Sequence, residues 1–171
     1  MALNAKRPAL LAADTNVLLD RAADDELVLD ALDTIRRRLP LCDFIITPTV
    51  IEELVMKAEH GETALEQRLA RRALRHLLQP WGFRPVNFIP VGRGIVAEIA
   101  RKLRRRQLLP DSEVNDSLIV AEAALVGASI LLTSDHHLTG IDYPLLKLEL
   151  EAADVSAPLI ASPRQIVTRF F

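Results

Sequence analysis

Short apolar runs alternate along this chain with stretches in which apolar side chains recur every three or four positions. PALLAAD (8–14) reads as a strand, and residues 24–39 place Leu27, Ala31, Leu32 and Ile35 at helical spacing. FIITPTV (44–50) reads as a second strand with Pro48 marking its end, and a helical pattern follows over 51–78 with Gly61 as a break. VNFIPV (86–91) is short and β-rich, and GIVAEIARKLRRRQLL (94–109) is helical. DSLIVAEAALVGA (116–128) reads as a helix ending near Gly127, SILLTSD (129–135) as a strand, and PLIASPRQIVTRFF (158–171) as a short strand followed by a helix. Apolar strands alternating with helices predict a mostly parallel sheet covered on both faces, a three-layer α/β/α sandwich. The pattern leaves residues 15–22 and 136–157 unassigned.

Composition narrows this picture without changing it. A chain of 171 residues, half of them hydrophobic, suits one core, so residues 1–171 read as a single domain. With 21 Lys and Arg against 23 Asp and Glu, the whole molecule carries no basic field, and attraction to a polyanion must come from local patches. The lone cysteine, Cys42, excludes an internal disulfide, argues against a cysteine zinc site, and reads as a small buried side chain. No apolar run has the length of a signal peptide core or a membrane span, so the expected location is the cytoplasm, away from membrane.

The acidic residues fall in a pattern. In parallel sheets, ligands bind beyond the carboxyl ends of the strands. Asp14 ends the first strand, Asp135 ends SILLTSD, Glu52 and Glu53 open the helix after FIITPT, and Asp116 opens the helix before SILLT. Each taken alone fits a turn or a helix cap; together they fit a metal site. Asp116 strengthens that reading, because its helix is apolar nearly all round and Val120 and Ala123 share its face. A buried carboxylate needs donors, a cation or a proton, while Asp111 and Ser112 offer themselves as caps for that helix. Oxygen ligands without cysteine point to Mg2+ or Mn2+. His136 and His137 read as a solvated loop pair, and His60 and His76 carry no signal.

These residues resemble the PIN-domain nucleases over nearly the whole chain. LLAADTNVLLD is similar to the family's opening strand, which makes Asp14 a metal ligand and Asn16 a supporting polar residue. ITPTVIEEL is similar to its second motif and selects Glu53 over Glu52. NDSLIVAEAALVGASILLTSDHHL is similar to its most specific block and supplies Asp116 and Asp135, with Thr133 and Ser134 beside the site. The extra length relative to small toxin-type members falls within 57–95.

The resemblance implies hydrolysis of RNA, single-stranded, by a Mg2+- or Mn2+-dependent endoribonuclease with Asp14, Glu53, Asp116 and Asp135 as catalytic and metal-binding residues. It also implies a homodimer and, for a toxin, an antitoxin protein as partner. A substrate path is offered by Arg68, Arg71, Arg72 and Arg75, which share one helix face, with Leu65, Leu69, Ala73 and Leu77 opposite and packed on the body. Arg101, Lys102, Arg104, Arg105 and Arg106 face outward, IRRRL (35–39) adds a third cluster, and Trp81 and Phe83 either stack on bases or pack their connection. The competing reading is a catalytically silent PIN-like module that binds RNA or protein. A small-molecule phosphatase is disfavoured because DTN lacks the second aspartate of an Asp-x-Asp pair.

Overall fold

The computed structural model describes residues 8–170; residues 1–7, where a leader would begin, and Phe171 lie outside them. Five strands, β1 (Leu10–Ala13), β2 (Asp43–Ile46), β3 (Phe83–Pro85), β4 (Ile130–Leu132) and β5 (Leu159–Ala161), form one all-parallel sheet in the order β3-β2-β1-β4-β5. Helices flank it, as the alternating pattern predicts. The central strands read as unbroken apolar runs because both their faces are covered: Leu11, Ala12, Ile45, Ile46, Leu131 and Leu132 are all buried.

The chain leaves β1 for β2 and β3 on one side, then crosses to β4 and β5 on the other. Strand order therefore reverses between β1 and β4, and the crevice beyond their carboxyl ends is where such sheets bind ligands. Register pairs Ala13 with Leu132, which sets Asp14 beside Thr133. The backbone N–H of Asp14 donates to the Leu132 carbonyl at 2.9 Å, extending the ladder one residue into the site.

Helix α1 (Thr15–Ala22) follows β1 after one residue, and α2 (Glu26–Arg38) lies inside the predicted 24–39. The eight-residue α1 shows only Thr15, Val17, Leu18 and Ala22 to the core, too short a stripe to stand out from the strand it continues. Pro48 does end the apolar run, as the first residue of α3 (Pro48–His60), where its missing N–H costs nothing. Gly61 separates α3 from α4 (Ala64–His76): a Cβ there would sit 2.5 Å from the Lys57 carbonyl oxygen.

The third strand departs from expectation. It is Phe83–Pro85 rather than 86–91, held at the sheet edge by pairing Phe44 with Phe83, where a proline is tolerated. Pro90 instead starts α5 (Pro90–Arg105), ahead of the predicted 94–109, and the helix ends before Gln107, which adopts a left-handed φ of 57°. Helix α6 (Val114–Val126) is buried nearly all round, as predicted, and ends at the left-handed Gly127. The one-turn α7 (His136–Thr139) and α8 (Tyr143–Glu151) fill the unassigned stretch, and α9 (Pro163–Phe170) follows β5. No described helix is long and apolar enough to cross a membrane.

Candidate functional site

Asp14 is the innermost of the four predicted acids. Its carboxylate caps α1 through the Thr15 N–H at 2.7 Å, and its second oxygen accepts from the Thr133 hydroxyl at 2.8 Å. Only 3% of the residue is exposed. Burial pushes its pKa up to about 6 against these two hydrogen bonds, and the charges of Glu53 and Asp135 push the same way.

Glu53 reaches the site from the first turns of α3. One oxygen accepts from the Thr15 hydroxyl and the other from Asn115 Nδ2 at 2.8 Å, while the neighbouring Glu52 is exposed. Neither Thr15 nor Asn115 stands out in the sequence. Thr15 lies inside the DTN triplet, and its place beside Glu53 depends on a contact across 38 residues.

Asp116 lies in the first turn of α6, whose cap position is held by Glu113, not by Asp111 or Ser112. Glu113 makes no side-chain cap bond, and the Asp116 Oδ2 is buried with no hydrogen-bond partner. Burial first, then the charges of Asp14, Asp135, Glu113 and Glu53, raise its pKa to about 7. Two of the four acids therefore feel the others directly. An orphaned buried oxygen amid like charges is the environment a cation relieves. The donor set, all oxygen, fits a hard divalent ion.

Asp135 follows β4 and caps α7, its Oδ1 accepting from the His137 N–H at 2.6 Å. Thr133 joins it to Asp14: the same hydroxyl that donates to Asp14 accepts the Asp135 N–H at 3.0 Å. Ser134, expected beside the acids, instead donates to Asp20 at 3.1 Å. Asn16 is half-buried in the first turn of α1. Among the described residues, the one trio of His, Cys or acid donors with all atoms within 4.8 Å is Asp135, His136 and His137. The four acids are linked instead by charge, Asp14 with Glu53 and Asp135, and Asp116 with all three, a looser ring of carboxylates.

The profile of the PIN domain matches residues 12–142, more than half the chain and all four acids. The chain belongs to the PIN-domain family. No curated protein matches it. Among solved structures, this PIN domain is similar to a chain of VapBC2 from Rickettsia felis, crystallised bound to a DNA fragment from its promoter. That likeness has a TM-score of 0.61 at 16% identity and covers 90% of this chain and 98% of that one. It is also similar to a chain of FitAcB from Neisseria gonorrhoeae, with a TM-score of 0.54, 17% identity and the same coverage. At such identities the likeness is one of fold.

A groove leads away from the acids of the PIN domain. Glu53, Asn115, Met56 and Lys57 line its near end, and Thr49, Glu52 and Leu118 continue into a cavity of about 470 Å³ beside Phe88 and Arg93. Glu122, a buried acid on the apolar α6, faces this cavity and caps α3: it accepts from the Thr49 N–H at 3.2 Å and its hydroxyl at 2.8 Å. Sequence reasoning passed over it, though a lone glutamate in an apolar helix is the signal that finds it.

The arginines divide. Arg68, Arg71, Arg72 and Arg75 do share a face, lining a shallow depression of about 580 Å³ with His76. Arg72, however, is held by Asp24 at 2.7 and 2.9 Å and by the Ala22 carbonyl at 2.7 Å, tying α4 to the end of α1. On the opposite side, Ala73 and Leu77 are buried and Leu69 partly so, but Leu65 is exposed at the helix start. At the end of α5, Lys102 and the C-cap residue Arg106 both pair with Glu149, at 2.9 and 3.1 Å, rather than facing freely outward. Arg104 meets Ser117. Trp81 and Phe83 are buried and cannot stack on bases; Trp81 lies under the Arg21 guanidinium, and Phe83 packs on Phe44.

Proposed function

We propose that this PIN domain is a metal-dependent endoribonuclease, the toxin of a toxin–antitoxin pair, working as a homodimer on single-stranded RNA. The observation that carries the reading is the orphaned Oδ2 of Asp116, buried among Asp14, Glu53 and Asp135. Those four residues would hold Mg2+ or Mn2+. A divalent ion bound there supplies Lewis-acid stabilisation of a phosphodiester and makes water more acidic.

The chain's own residues prepare that site. Thr133 and Thr15 hold Asp14 and Glu53 in fixed orientation, as the hydrogen-bond partners of metal ligands do. Burial and the charges of Asp14, Asp135, Glu113 and Glu53 push the Asp116 pKa up to about 7 without a cation, so a divalent ion held there would relieve that repulsion. Arg68, Arg71 and Arg75 offer exposed charge for phosphates, with Arg72 committed elsewhere. For an antitoxin, the exposed Ile89, Val91 and Ile95 at the start of α5 and Met56 beside the groove offer apolar contact surface. The likeness to VapBC2 and FitAcB supports such a partner.

The test is cleavage of defined single-stranded RNAs by the wild type and Asp14→Asn, with Mn2+ and with chelator. Metal-dependent cleavage that disappears in the variant is expected. RNA binding with no cleavage under any metal would establish a silent binding module instead.

A further inference from the structure

The histidines after Asp135 are exposed, as expected, but they sit on the one-turn α7 rather than in a loop. Their ring centroids lie 4.2 Å apart with the planes tilted by 36°, and a ring nitrogen of each converges with an Asp135 oxygen inside 4.8 Å. The turn that carries them is fastened at both ends. Asp135 is held by its N–H on the Thr133 hydroxyl, Leu138 is fully buried, and the Thr139 hydroxyl returns to the Asp135 carbonyl at 3.0 Å. Among the described residues the other two histidines show no such set: His60 faces Glu59, and His76 lies against Trp81.

We propose that Asp135, His136 and His137 form a second site, for a borderline transition-metal ion of the Zn2+, Co2+ or Ni2+ class. Two imidazole nitrogens with one carboxylate oxygen suit these ions and disfavour Mg2+, which takes oxygen. Both histidines are exposed, so water completes the coordination. The site shares Asp135 with the four-carboxylate ring. Its occupation therefore draws that carboxylate toward the histidines and opposes loading of the ring. In the cell this makes the pair an inhibitory zinc sensor, a consequence that rests on the nuclease reading above, whereas the metal site itself does not.

The experiment uses the tag-free full chain without Mg2+ in an Asp14→Asn background, which disables the carboxylate ring and leaves Asp135 and both histidines in place. Co2+ is titrated while its visible absorption is followed, then displaced by Zn2+. In that background the chain with both histidines is expected to bind one Co2+ that the added His136→Gln/His137→Gln variant binds at least roughly tenfold more weakly, since losing a ligand costs no less than losing a ligand's hydrogen-bond partner. Equal Co2+ affinity and stoichiometry in the two proteins would overturn the site. Where RNA cleavage is observed, Zn2+ should inhibit the wild type at concentrations that spare the histidine variant with Asp14 intact, and equal inhibition would overturn the sensor role. Absent cleavage, the Co2+ titration still decides the site, so the two readings fail separately. An unchanged circular-dichroism melt shows that both exposed substitutions leave the fold intact, and imidazole 15N shifts on Zn2+ addition provide a second measure in the wild type alone.

Discussion

The hydroxyl of Thr133, fully buried past the end of β4, donates to Asp14 Oδ2 at 2.8 Å across 119 residues of sequence. By also accepting the Asp135 N–H, one atom sets the separation of two of the four acids. Thr133→Val keeps the shape and removes both hydrogen bonds, leaving a buried carboxylate oxygen and a backbone N–H unsatisfied. We expect a drop of about 1–3 kcal/mol in stability and a Mn2+ affinity lowered by roughly tenfold. Chemical denaturation and Mn2+ electron paramagnetic resonance measure the two. A variant with wild-type Mn2+ affinity would remove Thr133 from the support of the site.

Asp116 sets a pH dependence whose sign is opposite to that of an ordinary paired carboxylate. Its folded pKa, about 7, lies above the ordinary aspartate value of 3.8, so the folded state holds the proton more tightly. Its contribution is fully present below about pH 4 and fades as pH rises toward about 7. Asp14 adds the same trend up to about 6. The metal-free protein should therefore melt at lower temperature as pH rises through this window. Asp116→Asn should flatten the trend and stabilise the metal-free protein near neutral pH by about 1–2 kcal/mol, discounted because the group is only half-buried. Mn2+ should raise the wild-type melting temperature and leave the variant's nearly unmoved. A variant less stable than wild type at neutral pH would show that the carboxylate is not under strain.

Adjacent glutamates provide an internal control. Glu53 receives the Thr15 hydroxyl and Asn115, whereas Glu52 is exposed along the groove. Glu53→Gln should weaken Mn2+ binding and abolish RNA cleavage; Glu52→Gln should leave Mn2+ binding unchanged. The reverse ranking would place the metal ring one helical position away.

On α4, charge reversal separates binding from structure. Arg71→Glu with Arg75→Glu should weaken RNA binding and lower the slope of log affinity against log salt by roughly 0.7 for each phosphate no longer neutralised. Arg72→Ala should instead lower stability, because it breaks the bidentate pair with Asp24 and the bond to Ala22, and should leave the salt slope close to wild type. Filter binding across a salt series, with a thermal melt, distinguishes them. An unchanged slope for the double reversal would mean that RNA does not pass over this face.

The sequence alone determined a covered parallel sheet, apart from its edge strand β3, and the addresses of the acids. Unbroken apolar runs between amphipathic stretches can be buried only as parallel strands covered on both faces, and ligand-binding loops then follow at their carboxyl ends. Asp14, the Glu52–Glu53 pair, Asp116 and Asp135 were therefore legible as positions, and the family resemblance selected Glu53 of the pair. Tertiary structure alone decided what those positions experience. Thr15 and Asn115 become partners of Glu53, Asp24 claims Arg72, and Glu149 claims Lys102 and Arg106, through contacts between elements far apart in the chain. Periodicity reports which face of a helix is apolar but not which neighbour meets its polar edge. The strand at 83–85 and the short helices α1 and α8 escaped for a related reason: pairing with β2 and burial against the core, not local pattern, make them what they are. The raised pKa values of Asp14 and Asp116 likewise arise from burial and from charges converging across the sheet, neither of which exists until the chain has folded.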